Sequence, residues 1–124
     1  MRNDFTTKEV TKLIGCNKTF IPSLTSKFKK RKKPIWTPKQ KGSRGRASLY
    51  TYNEMLMLAC LWKGRKLGLG REWAKAILQE LETMPHEDLL KLSHRGDGTV
   101  EILIRLKWIK REIIFWATKN GIEL

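Results

Sequence analysis

The segment FTTKEVTKLIG, residues 5–15, contains the signals that begin and end a helix. Thr6 and Glu9 have the spacing of a capping box, in which each side chain hydrogen bonds to the backbone amide of the other residue. Gly15 supplies the left-handed backbone conformation that ends many helices. The spacing therefore predicts a short helix over residues 7–14.

A second helix is predicted immediately after this turn. Asn17 can cap a helix that runs toward Phe28, with Ile21, Leu24 and Phe28 on one face. Pro22 removes one amide donor, so this helix either begins later than Asn17 or bends near its start. Two short helices joined by a turn that contains glycine form a helix-turn-helix, whose second helix enters the major groove of DNA.

The positive charge is concentrated in KFKKRKKPIWTPKQKGSRGR, residues 27–46, which carries ten cations and no acidic residue. The 124-residue chain has a net charge of +14, so only +4 remains for the rest. A localised basic field indicates a polyanionic partner, with nucleic acid favoured over an anionic membrane or an acidic protein. Pro34 and Pro38 stiffen the run, and Gly42 and Gly45 permit a turn. These features favour a protruding wing or hairpin, and a flexible solvated loop is the alternative.

Two further helices are predicted after the basic run. In SLYTYNEMLMLACLWKGRKLG, residues 48–68, Thr51 and Glu54 form another capping box. The apolar stripe of this helix comprises Met55, Leu58, Ala59 and Trp62. The face of the next helix, within residues 70–82, comprises Trp73, Ala74, Ile77, Leu78 and Leu81. Because these stripes need a partner, we expect a core shared with the first helix pair, with Ile35 and Trp36 fixing the base of the basic run.

The remainder of the chain, residues 83–124, is predicted to be a helical extension of the 1–82 domain. Pro85 suits the first turn of a short helix through Leu92, and SHRGDG is a polar turn. Residues 99–121 then carry an apolar seam with alternating spacings of four and three. The seam comprises Ile102, Leu106, Ile109, Ile113 and Trp116. We expect it to pack against a second copy in a homodimer. The alternative is that this helix folds back on its own domain.

The sequence lacks the patterns of several other functional classes. Cys16, Cys60, His86 and His94 show no metal-ligand spacing, and no catalytic constellation is present. We therefore predict a protein that is not an enzyme and has no metal, cofactor or small-molecule effector. The N-terminus has no signal-peptide pattern, and no stretch reaches the roughly 18 apolar residues of a membrane span. The expected location is cytoplasmic and nucleoid-associated.

The order of elements resembles the DNA-binding domain of MerR-type regulators. The residues that carry the resemblance are FTTKEVTKLIG, LYTYNEMLMLACLWKGRKLGL and REWAKAILQEL, within residues 4–82. It implies an all-α winged helix-turn-helix domain with a basic wing and a C-terminal helical extension. The chain departs from the family at Ser48, where an arginine usually precedes the wing tyrosine by two residues. Its wing is also longer and more basic. These departures fit a phage or plasmid accessory protein, excisionase-like or terminase-small-subunit-like, as well as a transcriptional regulator.

The resemblance also implies the DNA contacts. The residues expected to face base edges are Lys18, Thr19, Ser23, Ser26 and Lys27. Those expected to hold phosphates beside the wing are Arg44, Arg46 and Tyr50. Those expected to position the protein through further phosphates are Lys29, Lys30, Arg31, Lys32 and Lys33. The expected function is sequence-recognising binding of duplex DNA. The alternative is an RNA-binding or ribosome-associated helical module.

Overall fold

The fold is mostly helical, with two small antiparallel sheets. The computed structural model describes residues 2–25, 34–43, 45–80, 89–93 and 101–124, and at residues 71, 72, 89–93, 101 and 102 it describes the backbone alone. The elements in chain order are β1 (Phe5–Thr6), α1 (Thr7–Ile14), α2 (Phe20–Thr25), β2 (Leu49–Tyr50), α3 (Tyr52–Lys66), α4 (Arg71–Gln79), β3 (Leu89–Ser93), β4 (Glu101–Arg105) and α5 (Leu106–Asn120).

The predicted bounds of α1 are confirmed, and so is the chemistry that sets them. Thr6 accepts a hydrogen bond from the Glu9 amide, and the Glu9 side chain accepts one from the Thr6 amide. Gly15 ends the helix with φ 69°, a conformation that costs a residue with a side chain about 1 kcal/mol or more. Val10 and Leu13 are fully buried, so α1 has one face in the core.

The second helix begins later than Asn17, which is one of the two arrangements that Pro22 predicted. Asn17 Oδ1 accepts hydrogen bonds from the amide and hydroxyl of Thr19, and α2 starts at Phe20. Pro22 therefore falls in the first turn, where its missing amide proton would have had no helical partner. The predicted continuation toward Phe28 lies outside the described residues.

The third helix is buried on nearly all sides, which corrects the prediction of a single apolar stripe. The eight consecutive residues from Glu54 to Leu61 are all buried, and seven of them are apolar; Tyr52 and Gly64 are buried as well. The helix packs against α1, α4 and α5, so each of its faces meets a neighbour. A helix that is apolar all round is typical of the centre of a domain.

The chain between residues 83 and 105 contains strands where the sequence predicted helices. β3 pairs with β4 in antiparallel register, with Leu90 opposite Ile104 and Leu92 opposite Ile102. The short helix predicted through Leu92 is therefore wrong, and Ile102 lies in a strand and not in a heptad helix. Apart from Ser93, the predicted SHRGDG turn lies outside the described residues.

The last helix folds back on its own chain. Leu106, Ile109 and Ile113 are at most 6% exposed and belong to the same core cluster as Phe5 and Val10. The helix packs against α1 and α3. Side chains from both sides of the predicted boundary at residues 82 and 83 thus share one core. Gly121, with φ 64°, ends the helix.

Candidate nucleic-acid interface

The turn between α1 and α2 exposes two of the residues predicted to read bases. Lys18 and Thr19 are exposed, and the Thr19 hydroxyl is held by Asn17 Oδ1 at 3.0 Å. Ser23 is half-buried, and its hydroxyl donates to the carbonyl of Phe20 in its own helix. Lys18 and Thr19 are therefore the better placed of the described candidates. Ser26 and Lys27 lie outside the described residues.

Residues on either side of the most basic part of the chain are hydrogen bonded to each other. The Trp36 amide donates to the carbonyl of Leu24, near the end of α2, at 3.1 Å. The Trp36 ring stacks on Tyr50 with centroids 6.2 Å apart. The five predicted phosphate contacts within residues 29–33 lie outside the described residues, but the residues flanking them are fixed to α2. Trp36 fixes this base as predicted, whereas Ile35 is half exposed.

Residues 40–49 form a hairpin-like loop, which we call the 40–49 loop. The Leu49 amide donates to the Gln40 carbonyl at 3.0 Å, and the Gly42 amide donates to Ser48 Oγ at 2.8 Å. The Arg46 amide closes a turn to the Ser43 carbonyl at 2.8 Å. A Cβ at Gly42 would overlap the carbonyl oxygen of Arg46, so only glycine fits where these two backbone segments lie against each other. Internal hydrogen bonds give the described part of this loop a defined shape. The predicted wing over residues 27–46 stays a prediction, because residues 27–33 and 44 lie outside the described residues.

Glu54 attaches the start of this loop to the core, a role that the sequence did not predict. Glu54 is 3% exposed. One carboxylate oxygen accepts from the Thr51 amide at 2.9 Å, as in any capping box, and the other accepts from the Lys39 amide at 2.9 Å. Pro38, next to Lys39, is also buried. The capping-box spacing gives the first contact, but the second joins residues 15 apart and has no local sequence signal.

Tyr50 lies beneath the loop and not on the surface, which corrects its predicted role as a phosphate contact. It is 2% exposed, and Thr7 Oγ1 donates to its hydroxyl at 3.2 Å. Burial raises the pKa of this hydroxyl. Its backbone pairs with Phe5 in the β1–β2 sheet. Tyr50 therefore supports Trp36 and the loop from inside.

The exposed charge at this end of the molecule is positive. Of the predicted phosphate contacts, Arg46 is exposed, and Arg44 lies outside the described residues. Further exposed cations that were not among the predicted DNA contacts are Lys8, Lys12, Lys39 and Lys41. Lys8 and Lys12 are one turn apart on the side of α1 opposite Val10, a spacing that could have revealed them.

The acidic residues near these cations are already engaged. Arg2 bonds to Asp4 at 2.8 Å and to Glu9 at 2.7 Å. This contact holds the pKa of Glu9 below its usual value. Between residues 2 and 50, Asp4 and Glu9 are the only acidic residues of the chain. The surface field there is therefore that of unopposed lysines and arginines.

The predicted dimer seam does not form an exposed surface. Leu106, Ile109 and Ile113 contact their own domain, and Trp116 is half-buried with its ring 3.5 Å from where a Cβ on Gly15 would lie. The side chain of Ile102 is outside the described part. The fold-back alternative accounts for these placements, and homodimer formation itself stays a prediction.

The described residues offer little chemistry of other kinds. They contain no group of three histidines, cysteines or carboxylates that could hold a metal ion. Burial raises the pKa of the Cys60 thiol to about 12 and also raises that of Cys16, so neither forms a thiolate nucleophile readily at neutral pH. No helix within the described ranges is long and apolar enough to cross a bilayer.

Comparisons with protein-family models, with curated proteins and with solved structures found no match to this chain.

Proposed function

We propose that this protein binds duplex DNA through a winged helix-turn-helix that resembles the MerR type and recognises sequence. In this assignment α1, the Gly15 turn and α2 are the helix-turn-helix, and the 40–49 loop is the wing. The role is that of a transcriptional regulator or of a phage or plasmid accessory factor, and no catalysis is involved.

One observation supports the proposal: two described residues within the basic run, Trp36 and Lys39, are hydrogen bonded to α2 and α3 respectively. The Trp36–Leu24 hydrogen bond anchors the run before the loop, and the Glu54–Lys39 hydrogen bond anchors the loop itself. Cations that are held in place lose less conformational entropy on binding than cations on a free tail. A wing beside a recognition helix needs this placement, since phosphate contacts fix the register in which bases are read.

The charges around the site support a polyanionic ligand. Arg46, Lys41 and Lys18 are exposed on the loop and the helix corner, and the two nearby carboxylates are both paired with Arg2. The phosphate backbone of DNA attracts such a surface at a distance and releases counterions on contact. We therefore expect affinity to fall steeply as salt concentration rises.

The test compares two variants that each remove three positive charges. Lys39→Gln/Lys41→Gln/Arg46→Gln changes the loop, and the control Lys75→Gln/Lys107→Gln/Arg111→Gln changes exposed cations on α4 and α5. Binding to a labelled duplex is measured by fluorescence anisotropy at several salt concentrations. The loop variant should flatten the slope of log affinity against log salt by about 2 to 3 units, at roughly 0.9 per lost phosphate contact. The control slope should stay near that of the wild type.

Three matched probes separate duplex binding from the RNA alternative. The wild type is titrated with duplex DNA, single-stranded DNA of the same sequence and a structured RNA hairpin. The proposal requires the duplex to bind most tightly, with Thr19→Ala altering preference among duplex sequences and Arg46→Ala weakening all duplexes alike. Equal slopes for both triple variants, or tighter binding of the RNA, would refute it.

A further inference from the structure

A groove runs between α3 and α5, and at one end it reaches the end of α1 at Ile14 and Gly15. It consists of two hollows of about 320 Å³ and about 200 Å³, and both are lined by Lys63 and Ile109. The larger hollow continues toward Trp62 and Trp116, and the smaller one continues toward Leu67. We call the two hollows together the α3–α5 groove.

The rim of this groove leaves large apolar side chains in water. Leu67 is 76% exposed, Leu103 is 56% exposed and Phe115 is 58% exposed, and each lines one of the two hollows. Single exposed apolar residues are common, but several along one concave surface mark an interaction site. More than half of each of these three side chains is exposed, so most of their apolar surface is available to a partner.

The charge around the groove indicates the kind of partner. Lys63, Lys66 and Arg105 line it, and the described acidic residue among its lining is Glu112, which pairs with Lys63 at 2.9 Å. The groove therefore carries a net positive charge. A second copy would bring two equally basic rims together in an isologous contact, which costs free energy through like-charge repulsion.

We propose that the α3–α5 groove binds an amphipathic helix with acidic flanks from a different protein. A helix laid between two helices can bury its apolar stripe on Ile109, Leu67 and Leu103, which is a common mode of recognition. The part of α5 from Leu106 to Trp116 is about 15 Å long, at 1.5 Å per residue, so the partner segment needs about three turns. Glutamates on its flanks face the rim cations. This proposal does not rest on DNA binding, although the larger hollow borders the Gly15 turn.

The test uses two synthetic 16-residue peptides with leucines at positions i, i+3, i+4 and i+7. One peptide carries glutamates on both flanks, and the other carries lysines. Each is labelled and titrated with the full chain by fluorescence anisotropy. The glutamate peptide should bind at least about tenfold more tightly than the lysine peptide. Similar affinities of the two peptides would overturn the proposal. So would the absence of binding when the protein is in 100-fold molar excess over the labelled glutamate peptide.

Two apolar variants locate the binding surface. Leu67→Gln changes the rim, and Ile114→Gln changes a similarly exposed apolar residue of α5 that lines neither hollow. Burial of one leucine on binding predicts roughly a tenfold loss for Leu67→Gln. Ile114→Gln should bind as the wild type does. Equal losses in both variants would overturn the assignment. Thermal unfolding checks that both variants are folded.

Reversing a charge on the rim tests the acidic helix, and two further measurements test for a second copy of the chain and for nucleic acid in the groove. Lys66→Glu should weaken the glutamate peptide and strengthen the lysine peptide. Sedimentation that shows a wild-type dimer made monomeric by Leu67→Gln would assign the groove to a second copy and overturn the proposal. If the protein binds an oligothymidine of 16 nucleotides and Leu67→Gln abolishes that binding, the groove would be assigned to nucleic acid. That result would also overturn the proposal.

Discussion

Replacing Glu54 with glutamine tests whether the position of the loop matters beyond its charge. The substitution keeps the size of the side chain and raises the net charge of the protein from +14 to +15. If only total charge governed DNA binding, the variant would bind slightly more tightly. If the loop must be held in place, it should bind less tightly. The sign of the change therefore decides between the two explanations.

The expected loss of stability follows from the two hydrogen bonds of the carboxylate. Both oxygens of Glu54 accept from backbone amides, those of Thr51 and Lys39, at 2.9 Å. A glutamine can accept only one of them with its oxygen and would direct its own N–H groups at the other amide. A hydrogen bond to a charged group contributes about 1.5 to 3 kcal/mol, so we expect a loss of about 2 kcal/mol in the free energy of unfolding.

Denaturant unfolding and duplex anisotropy measure the two effects. Ordering the freed loop on binding should cost about 1 kcal/mol, which weakens DNA binding roughly fivefold. Glu112→Gln is the matched control, because it makes the same charge change at an exposed ion pair and should alter stability by at most about 1 kcal/mol. Unchanged or tighter DNA binding by the Glu54 variant, with a normal unfolding free energy, would refute the role of Glu54 in positioning the loop.

Three other outcomes are expected. Gly42→Ala should destabilise the protein by about 1 to 3 kcal/mol in denaturant unfolding, because the added carbon overlaps the Arg46 carbonyl; a neutral effect would mean that the loop can open at no cost. Cys60 should react with a thiol reagent far more slowly than Cys16 at neutral pH. Because its pKa is about 12 in the fold and 9.0 as a free group, its contribution to stability is present below pH 9 and is lost as the pH rises toward 12. Substituting glutamine for four lysines should flatten the slope of log DNA affinity against log salt by up to about 3 to 4 units, and an unchanged slope would exclude these lysines from the interface. The four are Lys29, Lys30, Lys32 and Lys33.

The helices that carry their own start signals were predictable from the sequence. The capping boxes at Thr6 and Thr51 fixed the starts of α1 and α3, because both interactions are local. The β3–β4 hairpin was missed because the apolar residues of 101–105 continue a helical spacing into α5. A strand is favoured there by pairing with residues 89–93, which no local pattern reveals. Tertiary context of this kind commonly overrides local propensity.

The location of the candidate site in the chain was predictable from the sequence, but the buried contacts that hold it were not. A run of ten cations in 20 residues is plain in the sequence, as are the glycines that shape its turn. The burial of Tyr50 and the contact of Glu54 with Lys39 depend on which core the run is attached to, and that is a property of the whole fold. Lys8 and Lys12 lie on the exposed side of α1, whereas the capping box and the apolar residues of this segment indicate only its bounds and its buried side.

The hydrogen bond between Trp36 and Leu24 has a consequence for folding itself. To form it, together with the β1–β2 pairing of Phe5 and Tyr50, the chain must bring the two ends of a strongly cationic stretch together. Mutual repulsion opposes that closure, and dissolved ions screen it over distances beyond about 10 Å at 0.1 M salt. Added salt should therefore make the free protein harder to unfold while making its complex with DNA easier to dissociate. DNA, as a polyanion, would replace those ions and stabilise the closed arrangement when it binds.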